Sequence, residues 1–326
     1  MIRVSLSALV PIALAFGVSV LPAEAQQARS FVSNALGNDG NAPNCLRNAP
    51  CRTFQVAHDN TLNFGEITIL DPGSYGAVVI NRPISIINDG VGEAGVLVSG
   101  GNVGITVDAG GTDSVTLRGL TIKGIGFGGG GGVVFNSGSF LSIENCVVRN
   151  MTGPSFGVIG SGIVFQPQPA GGASSLSVTD TVVTDNQFNG IWVHPIGNGF
   201  VHSVFNRVTS NHNGLDGFSI DDTQFSGPIW AAVDNSVAAQ NGDAAFEAAA
   251  ALQQGPVLMT VVRSVAEGNT SAFSAGASAV VSVSESLVTG NLHTWQGQTV
   301  ASYGDNIVKN NSDGDPAAFT SAGPKR

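Results

Sequence analysis

Short runs rich in Val, Ile, Thr and Ser, broken by Gly, Asn and Asp, recur along most of the chain, and within each run apolar and polar residues alternate. Alternation of period two puts every second side chain on one face, the pattern of a β-strand with one buried side. The runs repeat. Leu117, Ile143, Val178, Val204, Val233, Val261, Val283 and Tyr303 hold equivalent places, at successive spacings of 26, 35, 26, 29, 28, 22 and 20. Four residues after each stand Thr121, Val147, Val182, Val208, Val237, Val265, Leu287 and Ile307, which makes a second column. Four further on come Ile125, Met151, Asn186, His212, Asn241, Asn269, Asn291 and Asn311, a column dominated by asparagine. A separate register runs Val133, Ile163, Ile191, Phe218, Phe246 and Phe273, with Phe135, Phe165, Val193, Ile220, Ala248 and Ala275 two residues later on the same inward face. One coil of short strands cannot bury its apolar side alone. Coils stacked about 4.8 Å apart pair each strand with its equivalent in the next coil and enclose a continuous core. The pattern therefore predicts an all-β parallel solenoid with an internal asparagine ladder, in which Gly126–Gly132 and Pro167–Ala173 are loops between strands.

The ends break the pattern. Phe54, Ala57 and Leu62 are spaced as on a short helix within Thr53–Leu62, which suits a cap over the open N-terminal end of the core. Met1–Ala25 has a basic start at Arg3, an apolar run from Val4 to Leu21 and a small-x-small site at Ala23-Glu24-Ala25. It reads as a secretory signal, so export to the periplasm or medium is expected, with no membrane span after its removal. In an oxidising compartment, Cys45 and Cys51 in their Gly/Asn/Pro-rich stretch are expected to form a local disulfide. Cys146 is left as a small buried apolar residue. The expected organisation is a signal at 1–25, an N-terminal cap at 26–64, the solenoid at 65–311 and an irregular tail at 312–326.

Composition narrows the partners. Of 326 residues, 13 are Lys or Arg and 23 are Asp or Glu, so only 11% are charged, against 42% apolar and 44 glycines. A helical repeat protein would need more Glu and Lys on its exposed faces, and a disordered chain would be richer in charge. The net charge of −10, with lysine only at 123, 309 and 325, excludes a nucleic-acid partner, because phosphate binding draws on clustered positive charge. A monomer is expected.

The asparagine columns and the Asn186 to Val193 cadence, Asn-x-x-x-Gly-Ile-x-Val, resemble the superfamily of pectate lyases, polygalacturonases and alginate epimerases. The opening is similar to a group of exported bacterial β-helix proteins: Phe31-Val32-Ser33, Gly37-Asn38-Asp39, the cysteine pair before Arg52-Thr53-Phe54, and Leu70-Asp71-Pro72-Gly73. The resemblance spans the chain after residue 25 and implies a right-handed parallel β-helix. It implies no particular reaction, since this fold carries lyases, hydrolases, epimerases, adhesins and tailspikes. Leu215-Asp216-Gly217-Phe218 is similar to the polygalacturonase Asn-Thr-Asp-Gly strand, but Ala244-Ala245 stands in the next coil where that family has paired aspartates.

Candidate chemistry follows from the outward columns. Val134, Val164, Trp192, Ser219, Glu247 and Ser274 stack beside Asn136, Gln166, His194, Asp221, Ala249 and Gly276. This gathers Trp192, His194, Asp221 and Glu247 on one sheet face, with Gln166 below, Ser219 between and Asp222 at the strand end. Trp192 offers a flat apolar ring to a sugar. Asp221 and Glu247, one coil and two residues apart, sit about 8 Å from each other by strand geometry, within the about 6.5–9.5 Å that inverting glycosidases leave between acid and base. His194 is a candidate base or a hydrogen-bonded neighbour of Asp221. The expected catalytic set is Asp221, Glu247 and His194, and the expected binding set is Trp192, Gln166, Asp222 and Ser219. The expected partner is a polysaccharide or cell-envelope glycan, met by recognition that extends to glycoside hydrolase or polysaccharide lyase chemistry. No cofactor or metal is expected; calcium enters only if the glycan is a polyuronate. The other reading is a structural or adhesive surface protein whose regular solenoid is itself the function.

Overall fold

A computed structural model describes residues 27–126, 129–154, 156–169, 171–250, 254–297, 299–318 and 320–321. The expected signal at 1–25 lies outside the described residues. Each coil contributes one strand to each of three parallel sheets, as in Phe140–Glu144, Val147–Arg149 and Ile163–Phe165. Among the described residues, the first sheet has twelve strands from Gln27–Val32 to Thr320–Ser321, the second nine from Val78–Ile80 to His293–Gln296, and the third ten from Gly73–Ser74 to Ile307–Lys309. The result is a right-handed parallel β-helix.

Registration on the second sheet follows the inward columns residue by residue: Ile163 pairs with Ile191, Ile191 with Phe218, Phe218 with Phe246, and Phe246 with Phe273. Inside, the rings of Phe218, Phe246, Phe273 and Trp295 stack at centroid separations of 5.1, 5.4 and 5.5 Å. On the first sheet two places shift by one. Phe205, not Val204, pairs with Val178 and Val233, and Ser302, not Tyr303, pairs with Val283. Val204 is 48% exposed because the alternation set by Val201 sends Ser203 and Phe205 inward. In the third sheet the expected second column faces outward, with Val182 and Leu287 exposed, except that Thr209 takes the place expected for Val208, which is buried at the corner; the inward places belong to Val148, Val183, Ala238, Ala266 and Val288.

The corner between the first and third sheets is one residue in the left-handed region, at Asn145, Asp180, Arg207, Asn235, Arg263 and Glu285 in successive coils. The residue after it points back into the turn. Val208, Ser236 and Ser264 donate their backbone N–H groups to the hydroxyls of Ser236, Ser264 and Ser286, so hydroxyls climb the corner as a ladder. Cys146 holds the equivalent place nearer the N-terminus, and burial pushes its thiol up to about 11. A second left-handed corner, at Asn150, Asp185, His212 and Gln240, precedes the asparagine ladder. The ladder runs Asn186, Asn213, Asn241, Asn269, Asn291 and Asn311, each side-chain oxygen accepting from the coil below it. Its second rung is therefore Asn213, with His212 at the corner before it.

Three further expectations change. Gly130, Gly131 and Gly132 are strand, not loop, in Gly130–Ser137, and a Cβ on Gly132 would lie 2.1 Å from the carbonyl oxygen of Gly162. The helix is confined to Phe54–Asp59, with Thr53 as its N-cap, so Leu62 falls on the next strand and is 43% exposed. The tail is not wholly irregular, since Thr320–Ser321 pairs with Val300–Ser302. The N-terminal segment supplies the first strand, Gln27–Val32 pairing with Thr61–Ile69, and Cys45–Cys51 is a buried disulfide beside it. At the other end Asp313 accepts the backbone N–H and the hydroxyl of Thr294, at 2.6 and 2.7 Å, on the last strand of the second sheet.

Candidate functional site

The outer face of the second sheet brings the expected residues together. Trp192 pairs with Ser219 and Ser219 with Glu247, so these three stack in one outward column. His194 and Asp221 extend the neighbouring column, with Nδ1 of His194 3.0 Å from Oδ2 of Asp221. Below them the column continues as an amide chain. Gln166 donates to Oδ1 of Asn136 at 2.7 Å, and Asn136 donates to Oδ1 of Asp108 at 2.7 Å.

Trp192 is not an open platform. It is 8% exposed, clustered with Val134 and Val164, stacked on the His194 ring at 4.5 Å, and it meets the Phe156 ring at 5.0 Å. Strand alternation pointed it outward as expected, but Phe156 and Val158, in the connection between Val147–Arg149 and Ile163–Phe165, fold over it. The aromatic ring that this face presents to solvent is Phe156, at 52% exposure. Asp222 is also covered. It is fully buried at the strand end, its N–H bonded to the carbonyl of Ala249, so its carboxylate does not line the open face.

Two carboxylic acids on this face are driven in opposite directions. Burial works to raise Asp221, but the bonds from His194 and from the Thr223 backbone, 2.8 Å away, outweigh it and hold the carboxyl below the usual carboxylate range. Asp216 goes the other way. Burial foremost, then the charge of Glu247 and a hydrogen bond shared with it, push Asp216 well above that range. Its position explains why. Asp216 precedes the strand Phe218–Asp221, accepts the Ala244 N–H at 2.9 Å on Oδ1, and is only 6% exposed, with the Glu247 carboxyl as its acidic neighbour. Glu247 also accepts from the Ser219 hydroxyl at 2.9 Å. Carboxyl groups that share a site this closely cannot both ionise freely, so the pair retains a proton.

Asp216 and Phe156 are the residues that strand columns alone do not reach. A signal for Asp216 exists in the sequence: it is an acid in a buried column where the preceding coils have Ser161 and Asn189. Among the described residues, no group of three or more His, Cys, Asp or Glu is arranged to hold a metal ion.

The backbone path has relatives among solved structures. The pectate lyase Pel9A superposes with a TM-score of 0.55 at 14% identity, covering 89% of this chain and 81% of that one. The chain is a pectate-lyase-type β-helix in its fold. A rhamnogalacturonan lyase matches at TM-score 0.45 and 12% identity over 89% of this chain and 88% of its own. The A-module of the Azotobacter vinelandii mannuronan C-5 epimerase AlgE6 matches at 0.33 and 13%, over 80% and 91%. No protein-family model and no curated protein matches the sequence.

Proposed function

We propose that the protein is exported and cleaves a polysaccharide by inverting hydrolysis on the outer face of the second sheet. One observation carries this reading: two neighbouring acids are pushed apart in proton affinity, Asp221 toward the carboxylate by His194 and Thr223, and Asp216 toward the protonated form by burial and the Glu247 beside it. Such a divergence is how a fold assigns base and acid at one pH. Asp221 and Glu247 lie about 8 Å apart by coil spacing and strand rise, which leaves room for a water molecule between them. Asp221 takes a proton from that water as its oxygen bonds to the anomeric carbon. The glycosidic C–O bond breaks, and its oxygen takes the proton held by the Asp216–Glu247 pair. His194 lies against Asp221 and orients its carboxylate, so it is a positioning residue.

The test is the stereochemistry of the first product. Proton NMR of fresh digests should show the anomer opposite to the substrate linkage, and Asp221→Asn or Glu247→Gln should lower kcat by at least about a hundredfold. Full turnover in both variants, or unsaturated uronate ends in place of reducing ends, would overturn the reading. A structural or adhesive role is favoured by a different observation. The outer face of the first sheet exposes Phe200 at 47%, Val204 at 48% and Leu258 at 39% around Trp230. Surface attachment lost in a Phe200→Ser, Leu258→Ser double variant, with no glycan cleaved by the native protein, would select that role.

A further inference from the structure

We infer that the polysaccharide taken by this face is uncharged, in contrast to a polyuronate; the inference rests on the hydrolytic reading above and adds its substrate class. The argument begins with where the cations are. The sequence has no Lys or Arg between Arg149 and Arg207, between Arg207 and Arg263, or between Arg263 and Lys309. Each of these four lies away from the second sheet. Arg149 and Lys309 end strands of the third sheet, and Arg207 and Arg263 occupy the corner between the first and third. The corner arginines are also engaged, Arg207 with Asp180 at 2.5 Å and Arg263 with Asp234 at 2.6 Å.

The second sheet from Ile163 onward therefore carries no fixed positive charge, while the half-buried Asp221 and Glu247 and the exposed Asp243 stand on or beside it. His194 lies 3.0 Å from Asp221 and is not open to a substrate carboxylate. A divalent cation bridging acid to acid would need a ligand cluster, and no group of three or more metal-binding side chains occurs among the described residues. Each uronate carboxylate would thus meet like charge with nothing to neutralise it. At about 6 Å near a protein surface, that repulsion weakens binding by at least about tenfold.

What the face does offer is neutral. Asn136 and Gln166 lie below the acids, and in the Trp192 column Ser274 and Gln296 succeed Glu247 in the next two coils. Amides and hydroxyls both donate and accept, which suits sugar hydroxyls and gives a carboxylate no counter-charge.

The experiment uses the whole mature chain, with calorimetric binding to the Glu247→Gln variant and reducing-end release by the native protein. The probes are xylan, mixed-linkage glucan, galactan and arabinan on one side, and polygalacturonate and alginate on the other, each with EDTA and with calcium chloride. At least one neutral polymer should bind about tenfold or more tightly than either polyuronate, and 0.5 M NaCl should leave that affinity within about twofold. Ser274→Lys should raise polyuronate affinity. Tighter binding of a polyuronate at low salt, or binding of polyuronate alone once calcium is added, would overturn the inference. Polyuronate cleaved with inversion would sink the inference and leave the hydrolytic reading standing. A neutral polymer bound but never cleaved would do the reverse, and no binding to any polymer would remove both.

Discussion

Asn189 and Asp216 hold equivalent places in successive coils, the oxygen of Asn189 accepting the Asp216 N–H at 3.2 Å and that of Asp216 accepting the Ala244 N–H at 2.9 Å. Asparagine would serve the turn equally well at 216, so the acid has a cost that its hydrogen bond does not require. The folded pKa of Asp216 is raised by burial and by Glu247. Its contribution to stability is therefore fully present below the ordinary carboxylate range and is lost as pH rises through the folded value. Asp216→Asn keeps the bond to Ala244 and removes the titration. It should stabilise the protein by about 1–2 kcal/mol at pH 8.5, with little effect at pH 4, while kcat falls about a hundredfold. Thermal melts at the two pH values, with reducing-end assays, check this; a lower melting temperature at pH 8.5 would refute it. At this scale the sequence placed Trp192, His194, Asp221 and Glu247 on one face because alternation and repeat spacing fix outward columns. It did not place Phe156 over Trp192, because an insertion outside the repeat has no column, and the Asp216–Glu247 contact joins a corner residue to a strand residue of the next coil.

Among the repeating elements, the asparagine ladder illustrates how side chains replace the hydrogen bonds that turns cannot make. Oδ1 of Asn241 accepts from the backbone and side chain of Asn213, at 3.1 and 3.0 Å, while its Nδ2 reaches Oδ1 of Asn269 and the carbonyl of Ser210, both at 3.0 Å. The residue is buried, so Asn241→Ala leaves several groups without partners and should cost about 2–4 kcal/mol. Asn241→Ser, which keeps one acceptor, should cost less, as chemical denaturation of both variants would show. Equal losses would mean that volume, not hydrogen bonding, sets the penalty. The ladder was visible as recurring asparagine, but its second rung falls on Asn213, with His212 beside it. The corner takes one left-handed residue, at His212 with φ 52°, and the inward rung follows it. The same adjacency misled the first-sheet column, where Val204 and Phe205 are both apolar and only the alternation begun at Val201 separates them.

Across the whole molecule, stability accumulates from contacts between neighbouring coils, as the ring stack from Phe218 through Phe246 and Phe273 to Trp295 makes explicit. Phe246 has a ring on both sides and is fully buried, so Phe246→Ala should cost about 3–5 kcal/mol. Because coils touch mainly their neighbours, the loss should also divide unfolding into two transitions, one on each side of the gap, visible as a split calorimetric peak. A single, merely lowered transition would show that the two halves remain coupled. The fold at this scale was the most legible part, since a repeat of strands has few ways to cover itself. The exact chain ends were not, because terminal coils have a neighbour on one side only and depart from the repeat. There the carboxylate of Asp313 has a further meaning. By accepting the amide and hydroxyl of Thr294 it gives the outermost strand of the second sheet a partner from its own chain, so a donor that an unprotected sheet edge would leave open is already satisfied.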